Sequence, residues 1–260
     1  MVVILLVLLA VCAPWVTPRD PLFIDMDHKF ASPGQAGFLL GADELGRDVL
    51  SRLLHAGRVS LAVGLTTALI TVLIGSVLGA LAGYYGGMVD ATIMRLVDVL
   101  LSMPTIFLLL ALSAFLKPTV FAITVIIGLN SWMSVARMVR GQILSIKQQE
   151  FIMAARAMGS SDRRLIFREL LPNAVAPVLV AATLNVATAI LLESSLSYLG
   201  YGIQPPTASW GNMLNNAQTY VLYAPWVAIY PGIMITLTVL SFNFAGDGLR
   251  DALDPRLTLS

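Results

Sequence analysis

Long apolar runs separated by short polar stretches dominate this chain. Leu61–Gly83, Val97–Leu116, Val120–Ala136, Ala174–Leu192 and Ala224–Phe242 reach or approach the roughly 20 residues that a helix needs to cross a hydrocarbon core. A sixth run, Val2–Val16, opens the sequence and would measure about 22 Å as a helix. It has no basic leader and no clear small-x-small cleavage site, so it reads as a membrane helix rather than a signal peptide. Pro14, Trp15 and Pro18 suit the end of that helix at a membrane interface. A natural start upstream of Met1, carrying the basic flank, is expected. The pattern predicts an all-α, polytopic membrane protein with six transmembrane helices. Its expected order is an N-terminal transmembrane helix at 1–20, an extracytoplasmic segment at 21–57, a membrane domain at 58–248 and a cytoplasmic tail at 249–260.

Composition agrees with this reading. Of 260 residues, 57% are hydrophobic and 12% charged, against about 25% charged in soluble domains. The net charge of +1 gives no electrostatic case for nucleic acid. Cys12 stands alone, which excludes an internal disulfide and a cysteine-based zinc site. His28 and His55 are far apart and form no metal-ligand pattern, so both read as solvated residues.

Charge sets the sidedness. Six spans put both termini on one side, with the stretch Arg19–Arg58 opposite the loop Arg137–Glu169. That loop carries Arg137, Arg140, Lys147, Arg156, Arg163, Arg164 and Arg168 against Glu150, Asp162 and Glu169. Arg250 and Arg256 add to the tail. The positive-inside rule places this loop and both termini in the cytoplasm.

Inside the runs, Gly75, Gly79 and Gly83 form two overlapping GxxxG steps, which let helix backbones approach closely. Packing within this chain is the plainer use of them; contact with a second membrane subunit is the sharper one. Pro104, Pro177 and Pro231 are placed to kink helices, with or without a cavity between them. Glu193 and Asp98 lie near run ends, where snorkelling or capping is cheap, and both read as structural. Asn130 and Asn185 sit mid-span and suit interhelical hydrogen bonds. Asp43, Arg47, Asp48 and Arg52 have the spacing of i,i+4 ion pairs on a helix, Asp43 with Arg47 and Asp48 with Arg52. Pro205, Pro206, Trp210 and Asn212 make Gly200–Tyr223 a stiff, partly aromatic loop that either gates, faces a partner or is structural.

Catalytic signatures are missing. The lysines are Lys29, Lys117 and Lys147, and none follows a glycine, so the chain lacks the phosphate-cradling loop of ATP-binding proteins. No nucleophile elbow or base-paired nucleophile is evident.

The most informative segment is Glu150–Asn173, EFIMAARAMGSSDRRLIFRELLPN. Phe151, Ala154, Ala155 and Met158 fall on one face of a short helix. Gly159 suits its C-cap. Ser160, Ser161 or Asp162 can N-cap a second helix over Arg163–Leu171, and Pro172 precedes the return to the membrane. Small residues at Ala154, Ala155 and Gly159 permit close approach by another protein, with Arg156, Arg163 and Arg164 around them. On shape alone, a helix pair lying on the membrane surface is the plainer reading.

This spacing resembles the "EAA" motif of ABC importer permeases. Ala154, Ala155, Gly159, Leu171 and Pro172 stand at matching positions, with Met153 where the motif has glutamate and Glu169 where it has isoleucine. Four further blocks resemble the second permease of dipeptide, oligopeptide and nickel importers: LGADELGRDVLSR at Leu40–Arg52, GYYGGMVDATIMRLVD at Gly83–Asp98, LSYLGYGIQPPTASWGNML at Leu196–Leu214 and FNFAGDGLRDALDPRL at Phe242–Leu257. The resemblance implies a type I ABC importer permease fold, with 58–248 as the transmembrane type-1 domain and 140–173 as its coupling loop. It implies a second permease, two cytoplasmic ATPase subunits that bind the ATP, and an extracytoplasmic substrate-binding protein, in a bacterial or archaeal plasma (inner) membrane. No cofactor is implied for this chain. Glu150, Ala154, Ala155, Arg156, Gly159 and Asp162 would form the ATPase interface. Di- or oligopeptides are the first expectation for substrate, and nickel or another small solute the second. A self-sufficient channel or proton-coupled transporter would need buried ionisable relays, and an intramembrane enzyme a catalytic dyad; the sequence offers neither.

Overall fold

The structure, a computed structural model, describes Met1–Leu253; Arg256 and the last residues of the Phe242–Leu257 block lie outside the described residues. The described residues are helical with no strand, and Ala42 and Asp48 form a single antiparallel bridge. The elements of interest are α1 (Val2–Val16), α2 (Val49–Tyr85), α3 (Gly87–Leu101), α4 (Thr105–Phe115), α5 (Val120–Ile146), α6 (Glu150–Ala157), α7 (Asp162–Arg164), α8 (Leu171–Asn173), α9 (Val175–Tyr198), α10 (Trp210–Ala217) and α11 (Trp226–Leu253).

Among the described residues four helices, α2, α5, α9 and α11, are long and apolar enough to cross a membrane. The run Val97–Leu116 is not one straight helix. Helices α3 and α4 meet at 89° across a short break, and together they would make a fifth span. Pro104 explains the break, because its ring disfavours helical geometry at Met103 and its own nitrogen cannot donate. Helix α1, with 15 residues, is shorter than a full span, so six spans are not reached among the described residues by length and composition alone. The other prolines act differently from one another. Pro177 sits in the first turn of α9, where a missing N–H matters little, and Pro231 lies inside α11.

By packing, the chain falls into two compact units. One comprises Met1–Thr66, Leu109–Ile127 and Val186–Phe242. Here Trp210 is buried, and its indole Nε1 donates to the Leu53 carbonyl at 3.1 Å. Ser209 and Asn212 form a capping box that starts α10, each side chain accepting from the other's backbone N–H. Asn212 Nδ2 also donates to the Thr207 carbonyl at 2.6 Å. Trp210 and Asn212 are therefore structural anchors of the Gly200–Tyr223 loop, which contains a cis Pro205–Pro206 bond.

In the same unit, Glu193 is structural as expected, but in a different manner. It does not snorkel; it is fully buried, accepting from Ser60 Oγ at 3.1 Å and Ser197 Oγ at 2.7 Å. Those hydroxyls in turn accept the backbone N–H groups of Trp210 and Ile203. The carboxyl thus ties α2, α9 and the start of α10 together. Replacing Glu193 by alanine strands buried hydroxyls and is expected to destabilise the protein by about 2 kcal/mol, with Glu193→Gln much milder. Thermal unfolding in detergent checks this; equal stability of the alanine variant would refute it.

The charge network near Arg52 also differs from the i,i+4 expectation. Arg47 does pair with Asp43, Nε to Oδ2 at 2.7 Å, but across a turn rather than along a helix. Asp48 does not pair with Arg52. Its Oδ2 accepts the Ser51 N–H at 2.7 Å, capping the start of α2, and Arg52 turns to Asp43 at 3.3 Å. An aspartate just before a helix is claimed by the orphan N–H groups of its first turn.

The other unit comprises Thr67–Leu108, Gly128–Asn185 and the chain from Asn243. Gly75, Gly79 and Gly83 on α2 face Val135, Ala136 and Ile143 on α5, so the GxxxG steps serve packing within the chain. Asp98 is exposed and meets Arg137 of α5 at 2.7 Å, again a structural pair. Asn130 is buried, whereas Asn185 donates to the Ala181 carbonyl of its own helix rather than to another helix.

Candidate functional site

The elbow between α5 and α9 is built upward from one anchor. In α6, Ile152 is buried while Phe151 and Met153 are exposed, as is Met158 just past its end. Ile152 joins a core with Tyr84 and Ala80 of α2, Ile143 and Ile146 of α5, and Leu165, Ile166, Leu170 and Ala174 beyond the elbow. The short helix is thereby keyed to the ends of α2 and α5. Its expected apolar face, Phe151, Ala154 and Met158, points away from that core, with Ala155 partly buried beside it.

Gly159 closes α6 as expected. Its φ is +80°, in the left-handed region that glycine enters without a side-chain penalty. The Gly159 N–H donates to the Arg156 carbonyl at 3.0 Å and the Ser160 N–H to the Ala155 carbonyl at 3.1 Å. This pair of bonds is a Schellman closure. Ser161 takes the N-cap position of α7, but its side chain makes no capping bond.

The second helix is not the uniform segment predicted for Arg163–Leu171. After α7, residues Leu165–Leu170 wind as a π-helix, and the Leu171 N–H reaches back five residues to the Ile166 carbonyl. The wider turn shifts the register before Pro172, which has no N–H to offer the preceding turn.

Tyr84, which the sequence reading passed over, organises the elbow's base. Its hydroxyl donates to Asp162 Oδ1 at 2.5 Å. Its carbonyl, at the end of α2, accepts from Lys147 Nζ, as an unsatisfied helix-terminal carbonyl next to a cation should. The Arg156 guanidinium lies 5.4 Å from the centre of its ring, and the Tyr84 hydroxyl holds that guanidinium above its usual range. Nearby, Arg140 of α5 forms a two-toothed ion pair with Asp90 of α3. The only sequence signal for Tyr84 was its place just before Gly86–Gly87, where α2 had to end. Tyr84→Phe removes the Asp162 bond and keeps the ring. It is expected to cost about 1 kcal/mol and to raise protease cutting in 157–164, read by limited proteolysis; unchanged cutting would exclude the anchor.

The six residues expected at the ATPase interface therefore split. Glu150, Ala154, Arg156 and Gly159 are exposed on the projecting part, Ala155 borders the core, and Asp162 is exposed but engaged by Tyr84. No group of three or more His, Cys, Asp or Glu side chains able to hold a metal occurs among the described residues.

By the family it belongs to and its relatives, this all-helical chain with several apolar spans and an elbow between two of them is the membrane permease of an ABC importer. The chain belongs to the family described as binding-protein-dependent transport system inner membrane component, whose model matches residues 75–259. It is 42% identical over 259 residues to the di/tripeptide transport system permease protein DppC of Pseudomonas aeruginosa, covering 98% of this chain and 86% of that one. It is 43% identical over 256 residues to the glutathione transport system permease protein GsiD of Escherichia coli O157:H7, covering 98% and 84%. Among solved structures, the inward-facing MetNI methionine ABC transporter matches with a TM-score of 0.66 at 23% identity, over 79% of this chain and 97% of that one. An amino acid ABC transporter structure matches with a TM-score of 0.60 at 16% identity, over 78% and 95%. Both share the fold. The protein is thus a multi-pass inner-membrane permease.

Proposed function

We propose that this chain is one of two permeases in an importer of di- or oligopeptides, and that the elbow Glu150–Asp162 receives the work of ATP hydrolysed in separate subunits. The observation that carries this reading is the elbow's construction. A Schellman-closed helix is fastened by Ile152 to a rigid core and leaves Phe151, Met153 and Met158 exposed. A large apolar surface on a firmly keyed projection suits a protein partner. Glu150, Ala154, Ala155, Arg156, Gly159 and Asp162 form the contact or hold its shape. ATP binds to the two cytoplasmic ATPases and not to this chain. A second permease completes the pathway, and an extracytoplasmic protein delivers the substrate. Both termini lie in the cytoplasm with the elbow, in keeping with its arginines.

Relatives named for di/tripeptide and glutathione transport support the peptide assignment over nickel. Proteoliposomes holding the complete transporter test it. ATP-dependent uptake of labelled di- or tripeptides, with no uptake of Ni²⁺, is expected. Nickel uptake without peptide uptake would overturn the substrate, and ATP-independent uptake would overturn the mechanism.

A further inference from the structure

Two neighbouring cavities in the first unit share one free cation. The larger, about 500 Å³, is lined by Pro21, Leu22, His55, Arg58, Pro206 and Thr207 among others. The smaller, about 230 Å³, is lined by Val7, Ala10, Val11, Arg58, Leu61 and Leu65, with Ala62 common to both. Along α2, His55, Arg58, Ala62 and Leu65 follow at three- and four-residue steps, so they form one face. The polar end of that face leads to the larger cavity and the apolar end to the smaller.

Arg58 is exposed and has no hydrogen bond, ion pair or ring contact among the described residues. The other arginines of the same unit are engaged. Arg19 donates to the Ala36 carbonyl and lies over Phe38, and Arg47 and Arg52 meet acids. Arg58 also stands beside the middle of α1, and that helix exposes Ile4, Leu5, Leu8 and Val11, with Trp15 near its end. An apolar perimeter of this kind, with an interfacial tryptophan, faces lipid. A charge beside such a lipid-facing helix is costly unless it is paired, lies in a polar cavity or reaches the interface.

We infer that the two cavities form a phospholipid site, with the phosphate on Arg58, the rest of the headgroup in the His55–Thr207 cavity and an acyl chain in the Val7–Leu65 groove. The guanidinium fork matches phosphate oxygens. His55, which also lines the larger cavity, donates from Nδ1 to the Ser51 carbonyl at 3.0 Å, which leaves Nε2 available to accept. Apart from Arg58 the groove is lined by apolar side chains, and through Val11 it is continuous with the exposed apolar surface of α1, which favours a lipid over a soluble anion or a polypeptide. This inference does not depend on which substrate the transporter moves.

The test is native mass spectrometry of the complete transporter released from phosphatidylglycerol nanodiscs. One phospholipid per copy of this chain should survive delipidation in the wild type. Arg58→Leu should weaken its retention about tenfold, and Arg58→Lys should weaken it less. Ala62→Trp, on an exposed position, should block both cavities while leaving Arg58 and the fold in place. Excess inorganic phosphate should not displace the lipid. Unchanged retention in both Arg58→Leu and Ala62→Trp would overturn the site. Displacement by phosphate alone would reassign it to a soluble anion. A photo-crosslinker at position 58 that captures the second permease instead of lipid would reassign it to a subunit contact.

Discussion

A transporter carrying Gly159→Trp is expected to lose ATP-driven uptake by about tenfold or more, the size of a typical coupling free energy, while still inserting and folding. Two observations separate these effects. A side-chain carbon added at Gly159 meets nothing within 4 Å, so the protein itself has room for it. The cost inside the chain is then the left-handed backbone alone, roughly 1–2 kcal/mol for a non-glycine residue. A rigid core through Ile152, Leu165, Ile166 and Leu170 should absorb that locally. The open space at Gly159 is where an ATPase would seat, and an indole there keeps the two surfaces apart. A graded series isolates the cause. Gly159→Asn, which tolerates the left-handed region, should transport close to wild type. Gly159→Ala should show only the backbone strain, a partial loss. Uptake and ATP hydrolysis in proteoliposomes read the series, with hydrolysis in the tryptophan complex no longer stimulated by loaded binding protein. Normal uptake by that complex would sink the elbow assignment, and equal loss in all three variants would point to strain rather than docking.

The elbow and the membrane core differ in how far the sequence revealed them. Gly159 was legible because its requirement is local. A helix that stops within a few residues needs a left-handed closure, and glycine supplies it. The GxxxG steps were legible for the same reason, since their period alone puts Gly75, Gly79 and Gly83 on one face. What stayed hidden depended on partners distant in sequence. Glu193 sits near the end of an apolar run, yet Ser60, 133 residues away, makes its burial possible. Asp48 and Arg52 have helical pair spacing, but the helix begins at Val49, so Asp48 caps it and Arg52 finds Asp43 instead. Tyr84 acquires its role only when α2 ends beside Lys147 and Asp162. The break at Ser102–Pro104 was visible as a proline, though not as a turn of 89°, because a proline marks where a helix stops but not the direction in which the next one leaves. The π-helical turn at Leu165–Leu170 has no compositional signal at all; it reconciles the buried Leu165, Ile166 and Leu170 with the proline that follows.

Gly79→Leu is expected to destabilise the folded permease by about 4 kcal/mol or more, at the top of the range for single substitutions. Little hydrophobic force drives helices together within a membrane, so close packing carries the association of α2 with α5. At Gly79 the obstacle is the Ala136 backbone, with Val139 Cβ 2.9 Å from where a new carbon would lie. A flexible side chain could rotate away, but a helix backbone can only separate, which would also part Gly75 from Val135 and Gly83 from Ile143. Those contacts lie beside the core that holds Ile152, so the elbow should loosen together with the helix pair. Gly141, on the same α5, provides the opposite case. Nothing lies within 4 Å of a carbon added there, and Gly141→Ala should stabilise α5 by up to about 1 kcal/mol through helix propensity alone. Thermal unfolding of the detergent-purified transporter reads both substitutions. A fall in the midpoint for Gly79→Leu beside no fall for Gly141→Ala is expected. Comparable stability of Gly79→Leu and wild type would mean that α2 and α5 do not depend on this close approach, and that the glycines serve a contact outside the chain.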